Sequence, residues 1–254
     1  MLDEILPGGV FAFMLVFMRV GGALLLMPAI GEVFIPVRIR LFIAFGICLA
    51  LTPVVGPQLP ALPATPLELF LLLAVEILVG VFLGAVARIL FGAMNTAGTI
   101  IAYQTGLGFA QFYDPSQGTQ SALVSSFLTM IGLTILFTSG LHYVLLEAIR
   151  DSYILFPVGR MPDLSGFAEI ATTFVAESFR IGLQIAAPFL VYGLVFYAAL
   201  GILTRLIPRM QIFFIALPIQ LVSGFVLLAV TLTIAFDWFL DHVQSNMAEF
   251  LVTP

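Results

Sequence analysis

The stretch IIAYQTGLGFAQFYDPSQGTQ, residues 100–120, decides how this chain is organised, because hydrophobic segments long enough to be membrane helices lie on both sides of it. Asp114-Pro115 is a turn signal, and glycines in this region are expected to break helical continuity. The glycines are Gly98, Gly106, Gly108 and Gly118, and the bulky rings among them are Tyr103, Phe109, Phe112 and Tyr113. Irregular backbone at membrane depth is stable only where protein buries it or where it lines a cavity. The stretch therefore predicts either a tight helical hairpin packed inside one subunit or a gate or plug, and both interpretations stay open.

The composition surrounding this stretch is that of a membrane protein. The chain has 254 residues, of which 61% are hydrophobic and 9% charged, with a mean hydropathy of +1.18. Soluble domains usually carry about 25% charged residues. The chain is therefore an integral membrane protein, or one whose whole surface is covered by similar partners. No polar linker divides it, so a single domain over residues 1–254 is predicted.

Charge and motif content exclude several classes of function. The formal net charge of -5 argues against a nucleic-acid partner. The single Cys48 allows no intramolecular disulfide. No P-loop, zinc motif or dinucleotide fingerprint is present, and Gly106-Leu107-Gly108 is only a fragment of one. His142 and Glu147 are five residues apart, a poor spacing for metal ligands on one helix face. We therefore expect no catalytic, cofactor-binding or metal-binding residues, and no enzyme.

Hydrophobic runs and proline positions predict a set of kinked helices. Six spans are expected, over residues 10–27, 41–52, 67–94, 121–149, 170–203 and 219–236. Pro53 is expected to stop the second span, Gly132 and Gly140 to interrupt the fourth, and Pro188 to kink the fifth. Residues 210–217 are too short to cross a ~30 Å hydrocarbon layer, which favours a broken hairpin there. Residues 237–254 read as an acidic amphiphilic tail.

The third predicted helix carries a ladder of small and charged residues. Glu76, Gly80, Gly84, Arg88 and Gly92 follow one another at steps of four and lie on one stripe. Glycines at this spacing let a second helix backbone approach closely. An ionisable group inside a membrane is a functional hypothesis by default. Because a glycine stripe is an assembly device, we favour paired charges at an interface over a transport role for Glu76 and Arg88.

Several stretches together resemble a known family. One motif is Pro28, Gly31, Pro36 and Arg40; a second is Glu76, Gly80 and Gly84; a third runs from Gln104-Thr-Gly-Leu-Gly to Asp114-Pro115. The strongest match is GILTRLIPRMQIFFIALP, residues 201–218. This order of motifs, which covers nearly the whole chain, is similar to the FliR family of flagellar export-gate proteins, whose relatives serve virulence type III secretion. Arg209 and Ala216 depart from the residues more common in the family, an amide and a glycine, so the local contacts there differ.

The resemblance implies an architecture and a set of partners. FliR-like proteins join FliP and FliQ subunits in a helical, ring-like export gate in the flagellar basal body of the bacterial inner membrane. FlhB and other export apparatus proteins contact the gate, and unfolded flagellar substrates pass through it, driven by the proton motive force. The fold implied is all-α, a multi-helix membrane-type protein with kinked and broken helical hairpins packed in a hetero-oligomer. Such helices are raised out of the bilayer plane, so the six predicted spans need not be conventional ones.

The resemblance also assigns roles to particular residues. The loop over residues 106–118 corresponds to the family's pore plug, with Gly106, Leu107, Gly108, Phe109, Phe112, Tyr113, Asp114, Pro115 and Gly118. Assembly or interface roles fall to Glu76, Gly80, Gly84, Arg88, Arg205, Pro208 and Pro218. The predicted function is a non-enzymatic core subunit that helps to form and seal the flagellar protein export channel.

Two alternative functions remain. A secondary transporter would also contain broken helices and intramembrane charges, but it should show two related halves, and no convincing repeat is found. A structural membrane scaffold would use the glycine faces but has no need for a flexible aromatic loop at its centre.

Overall fold

The computed structural model describes residues 2–108, 123–207 and 212–251, and within these ranges it contains seven α-helices and no strand. The helices are α1 Leu2–Leu26, α2 Val37–Val55, α3 Pro66–Gln104, α4 Leu123–Thr138, α5 Leu141–Leu155, α6 Leu164–Leu206 and α7 Ile212–Met247. Short 3-10 helices cover Gly56–Gln58 and Ala248–Phe250. The predicted all-α, multi-helix fold is confirmed.

The chain forms two compact units. The first contains Met1–Leu90, Leu136–Val175 and Val243–Pro254, and the second contains Phe91–Ile135 and Ala176–His242. Helices α3, α4, α6 and α7 each contribute residues to both units. The single domain over residues 1–254 stays a prediction.

Helices α2 and α7 are longer than their sequence patterns suggested. Helix α2 begins at Val37, directly after Pro36, and Pro53 lies inside its last turn instead of stopping it. Helix α7 runs continuously through Pro218 to Met247, so the break expected before residue 218 is wrong for residues 212–217. Most of the predicted acidic tail belongs to the same helix, because Phe239, Val243 and Met247 form a buried stripe along it.

Helix α3 continues through Gly98 to Gln104, so the expected break at Gly98 is wrong. A side chain at Gly98 would meet α4, since an added Cβ would lie 2.6 Å from the Ser125 backbone nitrogen and 2.8 Å from its hydroxyl. The Ser125 hydroxyl also donates to the Asn95 carbonyl at 3.0 Å. Glycine is required here for close packing of two helices in the second unit, and not as a helix breaker.

The predicted span over residues 121–149 is bent in the structure. Helices α4 and α5 meet at an angle of 74°, and Gly140, with φ of 78°, provides the left-handed conformation at the corner. Gly132 lies within α4, so only the second of the two predicted interruptions is correct.

The first turn of α6 is capped by an exposed carboxylate. Asp163 precedes the helix and accepts hydrogen bonds at Oδ1 from the Ser165 hydroxyl (2.6 Å) and from the Ser165 backbone N–H (3.0 Å). These bonds, the hydroxyl bond first and then the backbone N–H groups of Gly166 and Ser165, lower the pKa of Asp163. The geometry is that of an N-cap.

Five helices of the described residues are long and apolar enough to cross a membrane, and the bent α4–α5 pair brings the number to six if it counts as one span. At 1.5 Å per residue, α3 with 39 residues and α6 with 43 are about 58 and 64 Å long. A bilayer core is about 30 Å thick. Large parts of these helices must therefore lie outside the hydrocarbon layer or be strongly tilted. The number of apolar helices need not equal the number of membrane crossings.

Candidate functional site

The glycine ladder of α3 packs against α1 within the first unit. A Cβ added at Gly80 would lie 3.0 Å from the Ala23 backbone nitrogen, and one added at Gly84 would lie 3.1 Å from the Leu26 Cβ. Gly22 on α1 lies at the same contact with slightly more room, because its Cβ would lie 3.0 Å from the Ile77 carbonyl. Both helices thus present glycine at the contact, and the close approach of a helix backbone to Gly80 and Gly84 is as the spacing predicted. The neighbour is a helix of the same chain, and an assembly role for Gly80 and Gly84 stays a prediction.

A completely buried ion pair lies beside this contact. The Arg19 guanidinium donates from Nε to Glu76 Oε2 at 2.7 Å and from Nη2 to Glu76 Oε1 at 3.0 Å. Both side chains are 0% exposed. The two parallel hydrogen bonds form a bidentate arginine–carboxylate pair, the strongest common geometry for such a pair. Burial of one charge without the other would be costly.

Arg19 also caps the C-terminal end of α5. Its Nη1 donates to the Ser152 carbonyl at 2.9 Å and to the Ser152 hydroxyl at 3.2 Å, and its Nη2 donates to the Phe156 carbonyl at 2.9 Å. With the two bonds to Glu76, all five guanidinium N–H groups have acceptors. The Tyr153 ring lies under the guanidinium, 4.1 Å from its central carbon. Because the carbonyl groups at the C-terminal end of a helix attract cations, one side chain holds α1, α3 and α5 together.

The other charged residue of the ladder lies in a more open environment. Arg88 is 44% exposed, lies 3.9 Å from Glu32 and donates to the Leu26 carbonyl at 3.4 Å. The turn containing Glu32 is held by Arg40, which donates to the carbonyls of Glu32 at 2.5 Å and Ile35 at 3.1 Å. Glu76 and Arg88 therefore have different partners within the chain, and their participation in a subunit interface stays a prediction.

The predicted plug loop is described only at its start. Gly106 follows α3 with φ of 79°, the left-handed conformation that commonly ends a helix at glycine. Its N–H donates to the Tyr103 carbonyl at 3.4 Å, and Gly106 and Gly108 are both buried. The predicted plug residues Phe109, Phe112, Tyr113, Asp114, Pro115 and Gly118 lie outside the described residues. Their role stays a prediction.

A buried glutamine that the sequence did not single out contacts the end of α3. Gln220 on α7 is 3% exposed. Its Nε2 donates to the Gln104 carbonyl at 2.8 Å and to the Tyr197 hydroxyl on α6 at 3.0 Å. Gln104 is the last residue of α3, so its carbonyl has no donor within the helix. In the sequence, the one feature that could have identified Gln220 is that its polar side chain stands in an otherwise apolar stretch after Pro218.

Glycines on the two neighbouring helices make room for the end of α3. A Cβ at Gly193 of α6 would lie 2.8 Å from the Gln104 side-chain amide carbon, and a Cβ at Gly224 of α7 would lie 2.7 Å from the Thr105 Cβ. The Tyr192 hydroxyl forms a short hydrogen bond with the Ser223 hydroxyl, which ties α6 to α7 beside the same place. We call the site formed by residues 104–106 and the neighbouring side of α6 and α7 the α3 socket. Its residues on those two helices are Tyr192, Gly193, Tyr197, Gln220, Ser223 and Gly224.

Two of the remaining predicted interface residues, Arg205 and Pro218, lie on α6 and α7. Pro218 and Pro188 border an open, apolar cavity of about 880 Å³ between α6 and α7, with Val191, Val222 and Val226 among its other lining residues. Arg205 is exposed in the last turn of α6. Pro208 lies outside the described residues, as does Arg209. Across the described ranges, no group of three or more His, Cys, Asp or Glu side chains is arranged to hold a metal ion.

Comparison with known proteins assigns a family to this arrangement. The family model described as "Bacterial export proteins, family 1" matches residues 10–246. The flagellar biosynthetic protein FliR of Caulobacter vibrioides is 41% identical over 230 residues, which are 90% of this chain and 92% of that protein. The FliR protein of Aquifex aeolicus is 31% identical over 237 residues, covering 93% of this chain and 91% of the relative.

Similarity extends to a protein named for another secretion system. The Yop proteins translocation protein T of Yersinia pestis is 26% identical over 238 residues, which are 91% of this chain and 89% of that protein. The glycine contacts of α1 and α3 and the buried ion pair fall within the matched region.

Proposed function

This chain belongs to the bacterial export proteins, family 1, and we propose that it serves flagellar assembly as a core subunit of the export gate. As a member of this family it is a subunit of a type III protein export gate. The observation that carries the flagellar assignment is the 41% identity to a FliR protein over nine-tenths of the chain. The identity to the Yop translocation protein is lower, at 26%. Unfolded flagellar subunits are the proposed cargo.

The proposed partners are FliP, FliQ and FlhB, with other export apparatus proteins around them, and the proposed location is the bacterial inner membrane within the flagellar basal body. Exposed apolar side chains support this assignment. Phe42, Leu194 and Ile234 are 78%, 75% and 72% exposed in the isolated chain. An apolar surface of this extent requires lipid or protein to cover it. Because the long helices exceed the bilayer thickness, partner subunits are the proposed cover for much of it.

The role proposed for this subunit is mechanical and not enzymatic. The carboxylate and guanidinium most deeply buried, Glu76 and Arg19, satisfy each other and two neighbouring carbonyl groups. A site organised in this way holds helices together and leaves no free acid or base. The proposed activity is to form part of a channel wall and to close it when no substrate is present.

Residues 106–118 are the proposed seal. Glycines permit backbone angles that other residues avoid, as Gly106 shows. Phe109, Phe112 and Tyr113 can fill a narrow apolar constriction, and such a constriction excludes water and ions by dewetting. A substrate would then displace a loop without unfolding a helix.

Removal of the loop tests this proposal. Deletion of residues 106–118 should leave the complex assembled with its co-expressed neighbours, while cells leak small ions and grow poorly in high salt. A matched variant keeps the loop length and replaces Phe109, Phe112 and Tyr113 with serine; it should leak as well, whereas Ser116→Ala with Gln117→Ala should not. Intact complexes with ion conductance at the unaltered level would refute the seal. Normal flagellar export in a strain lacking this chain would refute the whole assignment.

A further inference from the structure

The end of α3 is held by contacts that come from two other helices. Within the described part of the second unit, the side chain of Gln220 on α7 is buried. It donates a hydrogen bond to a backbone carbonyl of another helix, α3. A buried amide without partners costs free energy, so such a group is retained only where its hydrogen bonds are made. Both hydrogen bonds that Gln220 Nε2 donates end on groups beside the end of α3, the Gln104 carbonyl and the Tyr197 hydroxyl.

The three residues that end α3 are constrained in different ways. The Gln104 carbonyl accepts from Gln220, and the Thr105 side chain lies against the backbone of Gly224. Thr105 also donates from its hydroxyl to the Ile101 carbonyl at 2.8 Å. Gly106 then turns the chain with a positive φ, its α-carbon facing the Gln220 amide, where an added Cβ would be 3.4 Å away. These contacts thus determine both the position and the direction of the backbone at Gly106, where the loop begins.

The backbone of α7 is itself fixed at this point. Pro218, two residues earlier, has no N–H to donate to the preceding turn. The Gln220 carbonyl accepts from the Ser223 hydroxyl at 3.2 Å and from the Tyr192 hydroxyl at 3.5 Å. The glutamine therefore reaches α3 from a segment of α7 that is secured to α6 by side chains.

We propose that Gln220 is a positioning residue of the export gate: it caps the end of α3 and so determines where, and in which direction, the chain leaves the helix at Gly106. In this arrangement α3 stays helical up to Gln104 when the following loop is displaced. The effect on sealing rests on the proposed function of residues 106–118, whereas the capping of α3 does not.

Amide hydrogen exchange of the purified, co-expressed complex tests the capping. Gln220→Met keeps an unbranched side chain of similar length but removes the donor. Loss of one hydrogen bond to a helix end should speed exchange of the Thr105 and Gly106 amides roughly five- to tenfold. Peptides from the rest of the second unit should exchange at the original rate. Thr231→Val is the matched control, because within the described part of the chain the Thr231 hydroxyl donates to the Leu227 carbonyl of its own helix and not to α3.

The outcomes separate this inference from the proposed seal. Unchanged exchange at residues 105–106 in Gln220→Met, or equal acceleration throughout the second unit, would overturn the positioning role. If Gln220→Met prevents assembly, Tyr197→Phe provides a milder test, because it removes one acceptor of Gln220. It should speed exchange at the same two amides by a smaller factor. Loss of assembly in both variants would also overturn the inference.

Ion leak is measured in parallel with the deletion of residues 106–118. If the Gln220→Met complex is intact and leaks ions while the Thr231→Val control does not leak, the result supports positioning of the seal by Gln220. Leak in the deletion but not in Gln220→Met would overturn the coupling to the seal and leave the seal itself standing. No leak in either variant would refute the seal, while the exchange result would still decide the capping of α3.

Discussion

Substitution of Glu76 should show most clearly whether the Arg19–Glu76 ion pair stabilises the packing of α1, α3 and α5 or contributes little to stability. Glu76→Gln keeps one oxygen that can accept from Arg19, but it leaves the guanidinium charge buried without a counter-charge. Breaking a buried pair by removing one partner typically costs about 3–5 kcal/mol. Because the Ser152 and Phe156 carbonyls still accept from Arg19, we expect Glu76→Gln near the lower limit. Glu76→Lys places two cations together and should reach or exceed the upper limit.

The assay is thermal dissociation of the purified complex, followed on native gels together with its cellular yield. A loss of about 3 kcal/mol lowers the folded-to-unfolded ratio more than a hundredfold, so Glu76→Gln should reduce yield and Glu76→Lys should abolish the complex. The matched control is Glu177→Gln on α6, whose exposed i,i+3 pair with Arg180 should contribute little.

A double substitution measures the coupling between the two charges. Arg19→Met leaves Glu76 buried without its partner, and the combined Arg19→Met, Glu76→Met variant removes both charges. The combined variant should be more stable than either single variant but should not regain full stability, because the carbonyl groups of Ser152 and Phe156 lose their hydrogen bonds from Arg19. Additive effects in this cycle, or negligible effects of both Glu76→Gln and Glu76→Lys, would refute the reasoning.

The other predictions concern packing and helix capping. Gly80→Ala should destabilise the complex by about 1–3 kcal/mol, because the added methyl group meets the backbone of α1; Gly46→Ala, at a helical glycine with no neighbour within 4 Å, should be neutral or slightly stabilising by thermal dissociation. Equal behaviour of the two variants, or normal yield of the Gly80→Leu, Gly84→Leu double variant, would refute the close contact. Asp163→Asn keeps the cap of α6 without the charge: since the folded pKa of Asp163 is lowered, its contribution to stability is present above the unfolded pKa and is lost as pH falls through the folded value. The difference in thermal stability between the original chain and Asp163→Asn should therefore be largest near neutral pH and vanish in acid, and a difference independent of pH would contradict the assignment.

Local sequence patterns were reliable where one residue type has one physical consequence. The step of four from Gly80 to Gly84 predicted a close helix contact because only glycine lets two backbones approach to this distance. Gly140 was correctly expected to interrupt its span, since it adopts a positive φ. Gly98 shows the limit of this reasoning: the same residue type serves packing against Ser125, and helix α3 passes through it.

Proline was a weaker signal than the hydrophobic pattern. Pro53 was expected to end a helix, and a broken hairpin was expected over the residues before Pro218, but α2 and α7 contain these prolines. One missing N–H is a local cost, and burial of an apolar stripe along the following turns can exceed it. For α7 that stripe includes Phe239 and Val243, which the sequence placed in a tail.

The sequence by itself determined the helical, membrane-type class and the order of motifs that resembles the FliR family, because both depend on composition and on spacings within one helix or turn. Only the tertiary structure decided which polar groups meet. Arg19 and Glu76 are separated by 57 residues, Arg19 and Ser152 by 133, and Gln220 and Gln104 by 116. In each case a buried donor requires an acceptor, but which helix supplies that acceptor depends on how the helices pack against one another, and that is not encoded in any local pattern.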